Sequence, residues 1–266
     1  MNSASFKKKR DGKFVLKYFG SDSYYKNGLL LECIQHYSHL MKGKLLDLGC
    51  GNKPYSAIYN EVCDNSTGCD VPFSLHKDAE VEVLCFAEDV DKHFDKNFFD
   101  FILCTEVIEH TVNDRKVIEN INKILKIGGH LLISVPFTYV LHEAPHDYRR
   151  YTLYGLIKLL EDFDFKILSA HSAGASVSSG FYILYYTFTK IVYFILKKAG
   201  LKNIHENKFI RSITSLPEFL FYFFSIGKFR RKLIENKFPS KNEMFSSMGY
   251  FITAKKVKNN PDDYSS

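Results

Sequence analysis

The 266-residue chain has no tryptophan and only six cysteines, and none of these cysteines forms a C-x-x-C pair. Without such a pair, the usual spacing of a cysteine metal site or redox motif is missing. Several of the cysteines lie in apolar runs, where a reduced thiol packs as a small hydrophobic side chain. We therefore expect a reducing, cytoplasmic compartment, no disulfide framework and no metal held by cysteine.

The sequence also lacks two other patterns. The basic run at residues 7–10 is followed by Asp11 and Gly12, whereas a secretory signal peptide would continue with an apolar stretch. Positive charge is concentrated in two segments: residues 1–20 carry +5 and residues 181–241 carry +9, which leaves −8 on the rest of a chain with net charge +6. An acidic body with two basic segments is not typical of a nucleic-acid binder, so we expect no nucleic-acid partner and one surface that faces something anionic.

Short apolar runs alternate with helical patterns along the first two thirds of the chain. The runs predict strands at Lys44–Leu48, Ser66–Asp70, Val81–Phe86, Phe99–Cys104, His130–Val135 and Phe165–Ala170. Helical stripes follow Asn113, with Gly128-Gly129 as the stop, and Thr152, which suits an N-cap. A strand-like run returns only at Met248–Lys255. This alternation predicts a parallel sheet wound on both faces by helices.

The loop after the first of these strands reads DLGCGNKP, from Asp47 to Pro54. It differs from a dinucleotide fingerprint because Pro54 holds the place of the third glycine. The acid before the first glycine would repel a pyrophosphate but suits a cationic ligand. Asp70, about twenty residues further on, can accept hydrogen bonds from ribose hydroxyls.

Four motifs in order, DLGCGNKP, CD, FDFILCTEVIEH and LKIGGHLLISVP, resemble those of class I S-adenosylmethionine-dependent methyltransferases. The resemblance covers about residues 40–172 and the last strand. It implies a doubly wound Rossmann-like α/β sheet with an antiparallel last strand, and S-adenosylmethionine as cofactor. We divide the chain into a basic N-terminal segment and helix (1–39), a methyltransferase domain (40–172 with 248–257), a helical, aromatic-rich insertion (173–247) and a polar tail (258–266).

The resemblance also implies which residues bind the cofactor. The loop residues border its methionine part, Asp70 binds the ribose, the pair after the third strand flanks the adenine, and the pair after the fourth strand lies beside the sulfonium. In chain order these residues are Asp47, Gly49, Cys50, Gly51, Asp70, Phe86, Ala87, Thr105 and Glu106. The family often has an Asp where this chain has Phe86, so stacking on the adenine is expected instead. Lys53 takes the place of a third glycine and leaves the path of the loop open.

The segment after the fifth strand contains His142-Glu143-Ala144-Pro145-His146, which matches the H-E-x-x-H pattern of zinc proteases. That site needs both histidines on one face of a helix, and Pro145 breaks such a helix. No third ligand stands at a protease-like spacing. A metal held by His142, Glu143 and His146 is a lesser alternative, and we predict no metal site.

In the methyltransferase fold, this segment would lie over the transferred methyl group. The stretch VPFTYVLHEAPHDYRRYT resembles a subgroup associated with modification of cell-surface polysaccharides and glycolipids. The resemblance implies His146 or His142 as a general base, with His146 favoured because Pro145 and Asp147 fix its surroundings. Tyr148, Arg149 and Arg150 are the candidate acceptor ligands. Alternatively, Asp147 and the two arginines form a salt-bridged lid, and one of the two histidines caps the next helix. We expect His110 to be structural.

The insertion contains the apolar run Phe181–Leu196, which is sixteen residues long and has one charge, Lys190. This is short of the roughly 20 residues that span a bilayer, but the weakly polar stretch Ala173–Gly180 could extend it, so a membrane-spanning helix stays an alternative. Basic residues follow it and the second run, Leu216–Ile226. The pattern predicts peripheral membrane association through residues 181–232; packing on the sheet or a dimer interface is the alternative.

We therefore predict a methyltransferase at the inner face of the cell membrane that O-methylates a sugar hydroxyl of a lipid-linked or surface-glycan intermediate. One alternative acceptor is a quinone or another lipid phenol. A second alternative is a non-catalytic, cofactor-binding membrane scaffold. The oligomeric state and the methylated atom stay undetermined.

Overall fold

The computed structural model describes residues 6–16, 24–72, 81–174, 176–201, 207–235, 238–239 and 247–257. The predicted polar tail, 258–266, lies outside the described residues. A short antiparallel hairpin, β1 (Phe6–Lys8) and β2 (Phe14–Leu16), precedes the main sheet. The sequence patterns did not predict this hairpin.

The main sheet has seven strands and is parallel except for its last strand in the chain. Its members are β3 (Lys44–Leu48), β4 (Asn65–Asp70), β5 (Val83–Leu84), β6 (Phe99–Thr105), β7 (Leu125–Pro136), β8 (Phe165–Ser172) and β9 (Gly249–Lys256). Their order across the sheet is β5-β4-β3-β6-β7-β9-β8, and β9 runs antiparallel to both β7 and β8. The predicted α/β sheet with an antiparallel last strand is confirmed.

Helices cover both faces of the sheet. They are α1 (Tyr24–Tyr37), α2 (Ser56–Tyr59), α3 (Asp114–Ile124), α4 (Leu153–Glu161), α5 (Ser176–Lys198) and α6 (Lys208–Glu235). Successive strand residues point to opposite faces: Leu46 packs in one core with α3 and α4, and Leu45 packs in the other with α1 and α6. The sheet is therefore buried on both sides, which explains its continuous apolar strands.

Two local predictions need correction. The helix α3 ends at Ile124, and Leu125 already has extended backbone as the first residue of β7. Gly128-Gly129 therefore lies inside a strand and does not stop the helix. A Cβ at Gly129 would lie 3.0 Å from the carbonyl oxygen of Asp100, so close strand packing requires the glycine. The strand predicted at Val81–Phe86 shortens to the two residues of β5.

The caps and cysteines agree with expectation. The Thr152 hydroxyl accepts a hydrogen bond from the Gly155 N–H at 3.1 Å and caps α4. All six cysteines are free thiols, and all but Cys63 are buried. They pack as small apolar side chains, as predicted.

Candidate active site

The predicted cofactor residues lie along one edge of the sheet. Asp47, Asp70 and Thr105 stand at or next to the carboxyl ends of β3, β4 and β6, which are parallel neighbours. Phe86 and Ala87 follow β5 at the same edge. Open α/β sheets bind ligands at this edge. The topology therefore brings together residues that are far apart in the sequence.

The glycine loop after β3 has a left-handed backbone at three places. Gly49 and Gly51 have φ of +70° and +51°, and a Cβ at Gly49 would lie 2.3 Å from Cγ2 of Val107. Lys53 also has a positive φ, +48°. It thus adopts a conformation that glycine favours, and its ammonium group forms an ion pair with Glu82. The loop keeps its turn without the third glycine.

Asp47 is the clearest cofactor ligand in this loop. Its side chain is buried, and its Oδ2 atom has no hydrogen-bond partner, as is true of the buried Oδ1 of Asn52. Burial raises the pKa of Asp47 to about 7, although Tyr59 and Lys53 act in the opposite direction. Buried acceptors without donors need a partner. The cationic amino group at the methionine end of S-adenosylmethionine suits both oxygens, so these residues fit the cofactor.

The residues expected around the ribose and adenine are also available. Asp70 accepts a hydrogen bond from the Val71 N–H through Oδ1 at 2.8 Å and is half-buried. Phe86 is 45% exposed and Ala87 is buried, and the exposed part of the ring can contact a planar base. Glu88 has a different role, because its Oε1 accepts hydrogen bonds from the backbone N–H groups of Val112 and Asn113.

A lysine that sequence reasoning missed joins the site from α1. Lys26 forms an ion pair with Oε2 of Glu106, and its ammonium nitrogen lies 3.9 Å from the centre of the Tyr139 ring. Glu106 has φ of +57° and accepts a hydrogen bond from the Ser134 hydroxyl at 2.8 Å. Burial lowers the pKa of Lys26, but Glu106, Tyr139 and Glu109 together outweigh it and the net shift is upward. No local motif marks this lysine.

The IEH segment after β6 supplies two further groups. Glu109 is fully buried, and neither of its carboxylate oxygens has a hydrogen-bond partner. Burial and the neighbouring Glu106 raise the pKa of Glu109 well above its usual value. His110 Nε2 lies 3.6 Å from Glu109 Oε1, and its ring centre is 4.8 Å from that of His142. Glu109 and His110 therefore belong to the site.

The side chains of His142 and Asp147 form an imidazole–carboxylate pair beside Glu109 and His110. His142 Nδ1 lies 3.2 Å from Asp147 Oδ2, and the His142 backbone N–H donates to the same oxygen at 3.0 Å. Arg150 binds both Asp147 oxygens, one of them at 2.7 Å. The Arg150 guanidinium holds the pKa of Asp147 far below its usual range. Asp147 is thus a permanent anion that orients His142.

His146 has a different environment from His142. Its side chain is exposed, and its Nδ1 lies 3.0 Å from the Tyr148 hydroxyl. Only its backbone reaches the cluster, since its carbonyl oxygen accepts from His110 Nδ1 at 2.9 Å. Glu109, His110 and His142 each place one ligand atom within 4.8 Å of the others and could hold a metal ion. The metal ligands considered from the sequence were His142, Glu143 and His146, and only His142 belongs to this group.

The candidate acceptor ligands are largely engaged within the chain. Arg149 pairs with Asp114 at 2.9 Å and donates to the Val112 carbonyl oxygen at 2.9 Å. Arg150 is bound to Asp147. Of the salt-bridged lid that the sequence left as an alternative, the Asp147–Arg150 pair is present, whereas Arg149 pairs with Asp114. Tyr148, with 45% of its side chain exposed, is the most accessible of the three.

Comparisons with known proteins identify the family. The profile of a methyltransferase-domain family matches residues 25–170, which is more than half of the chain. A ubiquinone biosynthesis O-methyltransferase of Erwinia tasmaniensis is 30% identical over 118 residues, covering 41% of this chain and 49% of that protein. An uncharacterized protein of Methanocaldococcus jannaschii is 31% identical over 100 residues, covering 36% and 46%. The chain spans about half the length of these curated relatives.

Solved structures share the fold. The [4+2]-cyclase SpnF superposes with a TM-score of 0.54 at 15% identity, covering 91% of this chain and 86% of that chain. A phosphoethanolamine N-methyltransferase 2 of Haemonchus contortus gives 0.50 at 17% identity, covering 87% and 53%. One of these proteins is a cyclase, so the fold alone does not define the reaction. The family match is more specific: the chain belongs to the methyltransferase-domain family, in agreement with the resemblance to class I S-adenosylmethionine-dependent methyltransferases.

Proposed function

We propose that this methyltransferase O-methylates a sugar hydroxyl of a lipid-linked or surface-glycan intermediate at the cytoplasmic face of the cell membrane. The observation that carries the proposal is the pairing of His142 with Asp147, at 3.2 Å. An alkyl hydroxyl is a weak nucleophile until a base takes its proton. An imidazole oriented by a carboxylate is suited to that task.

The residues that would hold the cofactor are Asp47 and Asn52 at the methionine end and Asp70 at the ribose. S-adenosylmethionine, when bound, supplies a methyl group on a positive sulfonium, which already reacts readily with a nucleophile. The chain must therefore bring the acceptor into line and remove one proton. Alignment can contribute several kcal/mol to the rate, and a positioned base about 10²- to 10⁴-fold.

His142 is the base in this proposal. Burial and the nearby Lys26 lower its pKa, against the opposing effect of Asp147, so the ring is neutral near pH 7. Nδ1 faces Asp147 and the Val140 carbonyl oxygen, which leaves Nε2 to accept a proton. No partner of Nε2 is present among the described residues. Asp147, as an anion, would stabilise the imidazolium that forms.

The polarity of the surrounding groups favours a polyhydroxyl acceptor. Burial and the neighbouring Glu106 raise the pKa of the Glu109 carboxyl well above its usual value, and the protonated form of such a group can donate a hydrogen bond as well as accept one. His110 adds a second group of mixed donor and acceptor character beside it. Tyr139 packs edge-on against His142, with ring centres 5.2 Å apart, and its ring also contacts Lys26 and Tyr182. Sugar hydroxyls both donate and accept hydrogen bonds, so they match the groups of mixed character.

A second candidate acceptor is a quinone precursor or another lipid phenol. The curated relatives favour it, since several are ubiquinone biosynthesis O-methyltransferases. The same His142 would take the phenolic proton. A phenol has a pKa near 10 and depends less on a base than an alkyl hydroxyl does.

The test uses S-adenosylmethionine with a labelled methyl group and membranes from the protein's own source. Label that is released from the lipid fraction as a methylated sugar after mild acid would support the proposal, provided that the Asp70→Ala variant abolishes it. Label that stays in an acid-stable phenol ether would establish the second candidate instead. If the cofactor binds in a calorimeter and no fraction is labelled, both acceptors are wrong, and the scaffold alternative would regain support.

A further inference from the structure

The antiparallel pair of helices α5 and α6 has an unusual distribution of apolar side chains. Nine of these side chains, between 44% and 75% exposed, point away from the protein. We call them the apolar face: Leu184, Phe188, Ile191 and Ile195 on α5, and Ile213, Leu216, Leu220, Phe223 and Phe224 on α6. An exposed helix face of a soluble protein is normally polar. We therefore expect the apolar face to bind another apolar surface.

The spacing makes each half of the apolar face a continuous stripe. On α5 the four residues stand at i, i+4, i+7 and i+11, and on α6 the five stand at i, i+3, i+7, i+10 and i+11. Residues at these intervals share one side of a helix. The opposite side of α5 packs inward, where Tyr182 and Thr189 are buried and Tyr182 stacks on Tyr139. Each stripe therefore lies along the outer flank of its helix.

This helix pair is anchored to α1. Glu218 is buried and accepts a hydrogen bond from the Tyr25 N–H at 2.8 Å, and Arg230 pairs with Glu32 of α1. Phe181 stacks on Phe221 at 4.4 Å. Beyond Tyr182, sixteen residues of α5 remain, a length of about 24 Å. The hydrocarbon core of a bilayer is about 30 Å thick.

The charges on α5 and α6 indicate what kind of partner contacts the apolar face. Together α5 and α6 contain nine Lys and Arg residues against Glu218 and Glu235. Of the basic residues, Lys190, Lys197 and Lys198 on α5 are exposed. Cations beside an apolar stripe are attracted to anionic lipid headgroups while the stripe enters the acyl boundary. A second copy of the chain would bring like charges together.

We infer that the apolar face of α5 and α6 lies flat on an anionic lipid bilayer. Although α5 is long and apolar enough to pass as a membrane span, with Ser179–Lys198 as the candidate, Tyr182 and Thr189 are buried on its inner flank. The length beyond Tyr182 is also shorter than the hydrocarbon core, which favours a helix that lies on the surface. Tyr182 links α5 to Tyr139 and so to His142. Membrane contact would place the active-site edge beside lipid-anchored acceptors. The inference does not depend on which acceptor is methylated.

The experiment exploits the absence of tryptophan from the chain. The Phe188→Trp variant carries a single reporter on the apolar face, and Tyr154→Trp carries a matched one on α4, where Tyr154 is 67% exposed. Both variants are mixed with vesicles of phosphatidylcholine alone or with phosphatidylglycerol. We expect a blue shift only for Phe188→Trp and only with the anionic lipid. Lipids brominated near the headgroup should quench it more than lipids brominated deep in the acyl chains.

Sedimentation with the same vesicles gives an independent measure. The double variant Phe188→Asp/Phe223→Asp and the triple variant Lys190→Glu/Lys197→Glu/Lys198→Glu should each bind anionic vesicles at least about tenfold more weakly, with unchanged melting temperatures. Tyr154→Asp should bind like the wild type. Stronger quenching by deep bromines would overturn the flat orientation. A failure of the wild type to bind vesicles, with a dimer in sedimentation velocity that the double variant abolishes, would assign the apolar face to a second copy instead.

Discussion

His142 Nδ1 lies 3.2 Å from Asp147 Oδ2, and the backbone N–H of the same histidine donates to that oxygen at 3.0 Å. These two contacts between His142 and one oxygen of Asp147 fix both the path of the loop and the orientation of the imidazole ring. Arg150 binds both oxygens of Asp147. His142 is thus oriented by Asp147. In contrast, His146, the residue next to Asp147, is hydrogen-bonded to Tyr148. This arrangement allows the two imidazoles to be separated experimentally.

The His142→Gln variant should lower kcat by about 10²- to 10⁴-fold, because it removes the proton acceptor. The affinity for S-adenosylmethionine, measured by calorimetry, should stay within a few-fold. His146→Gln serves as the comparison and should change kcat little, since that ring is exposed. The reverse order of effects would make His146 the base. Loss of activity on treatment with a chelator would instead assign Glu109, His110 and His142 to a metal ion.

The pH dependence of kcat/KM should report the same group. Burial lowers the pKa of His142 below its usual 6.5, and the base is active only when neutral. Activity should therefore fall as the pH drops below about 6.5 and should be level above neutrality. In Asp147→Asn the carboxylate no longer raises the pKa of His142, so the acidic limb should move to still lower pH. If kcat/KM rises only above pH 7, His142 is not the group that the pH profile reports.

Cofactor affinity should have a different pH dependence, set by Asp47. Burial raises the pKa of this carboxyl to about 7, and a cationic ligand binds the ionised form. The dissociation constant for S-adenosylmethionine should therefore increase by up to about tenfold per pH unit as the pH falls below 7. Asp47→Asn should bind weakly at every pH, without this slope. Calorimetry at pH 5.5 to 8.5 measures both, and a sloping curve for the variant would refute the role of Asp47.

Gly49 provides a steric test of the cofactor loop. A Cβ at this position would lie 2.3 Å from Val107, and φ is +70°. Gly49→Ala should weaken cofactor binding by at least about tenfold, since strain of this kind costs of order 1–3 kcal/mol. Gly227→Ala is the matched control, because a Cβ there meets nothing within 4 Å. If Gly49→Ala binds the cofactor normally, the loop is not the cofactor cradle.

His171 should make the fold sensitive to acid. Burial lowers its pKa to about 4, and its Nε2 is hydrogen-bonded to the Tyr37 hydroxyl. Between pH 6.5 and 4 the unfolded chain binds a proton that the folded chain does not, so the free energy of unfolding decreases as the pH falls through this window. The full decrease is about 3 kcal/mol. Urea unfolding across this range should show a flatter profile for His171→Gln, and an unchanged slope would exclude His171 as the cause.

Local chemistry explains which features were predictable from the sequence. The sheet follows from apolar runs of strand length, and the cofactor edge follows because parallel strands end together. Asp47, Gly49 and Asp70 could be identified since each stands at a strand end within a short motif. The limits of α3 and β7 were less predictable. Leu125 fits a helical stripe and a strand equally well, and pairing with Phe99 of β6 decides the matter.

The sequence by itself determined the fold class, the cofactor loop and an aromatic, basic insertion, because strand period, turn glycines and charge are properties of adjacent residues. Only the tertiary structure decided which distant groups meet. Lys26 of α1 reaches Glu106, and Glu109 of the IEH turn comes next to His142. It also decided that His142, not His146, faces Asp147. Contacts of this kind depend on how helices and loops pack on the sheet edge, and spacing along the chain does not encode them.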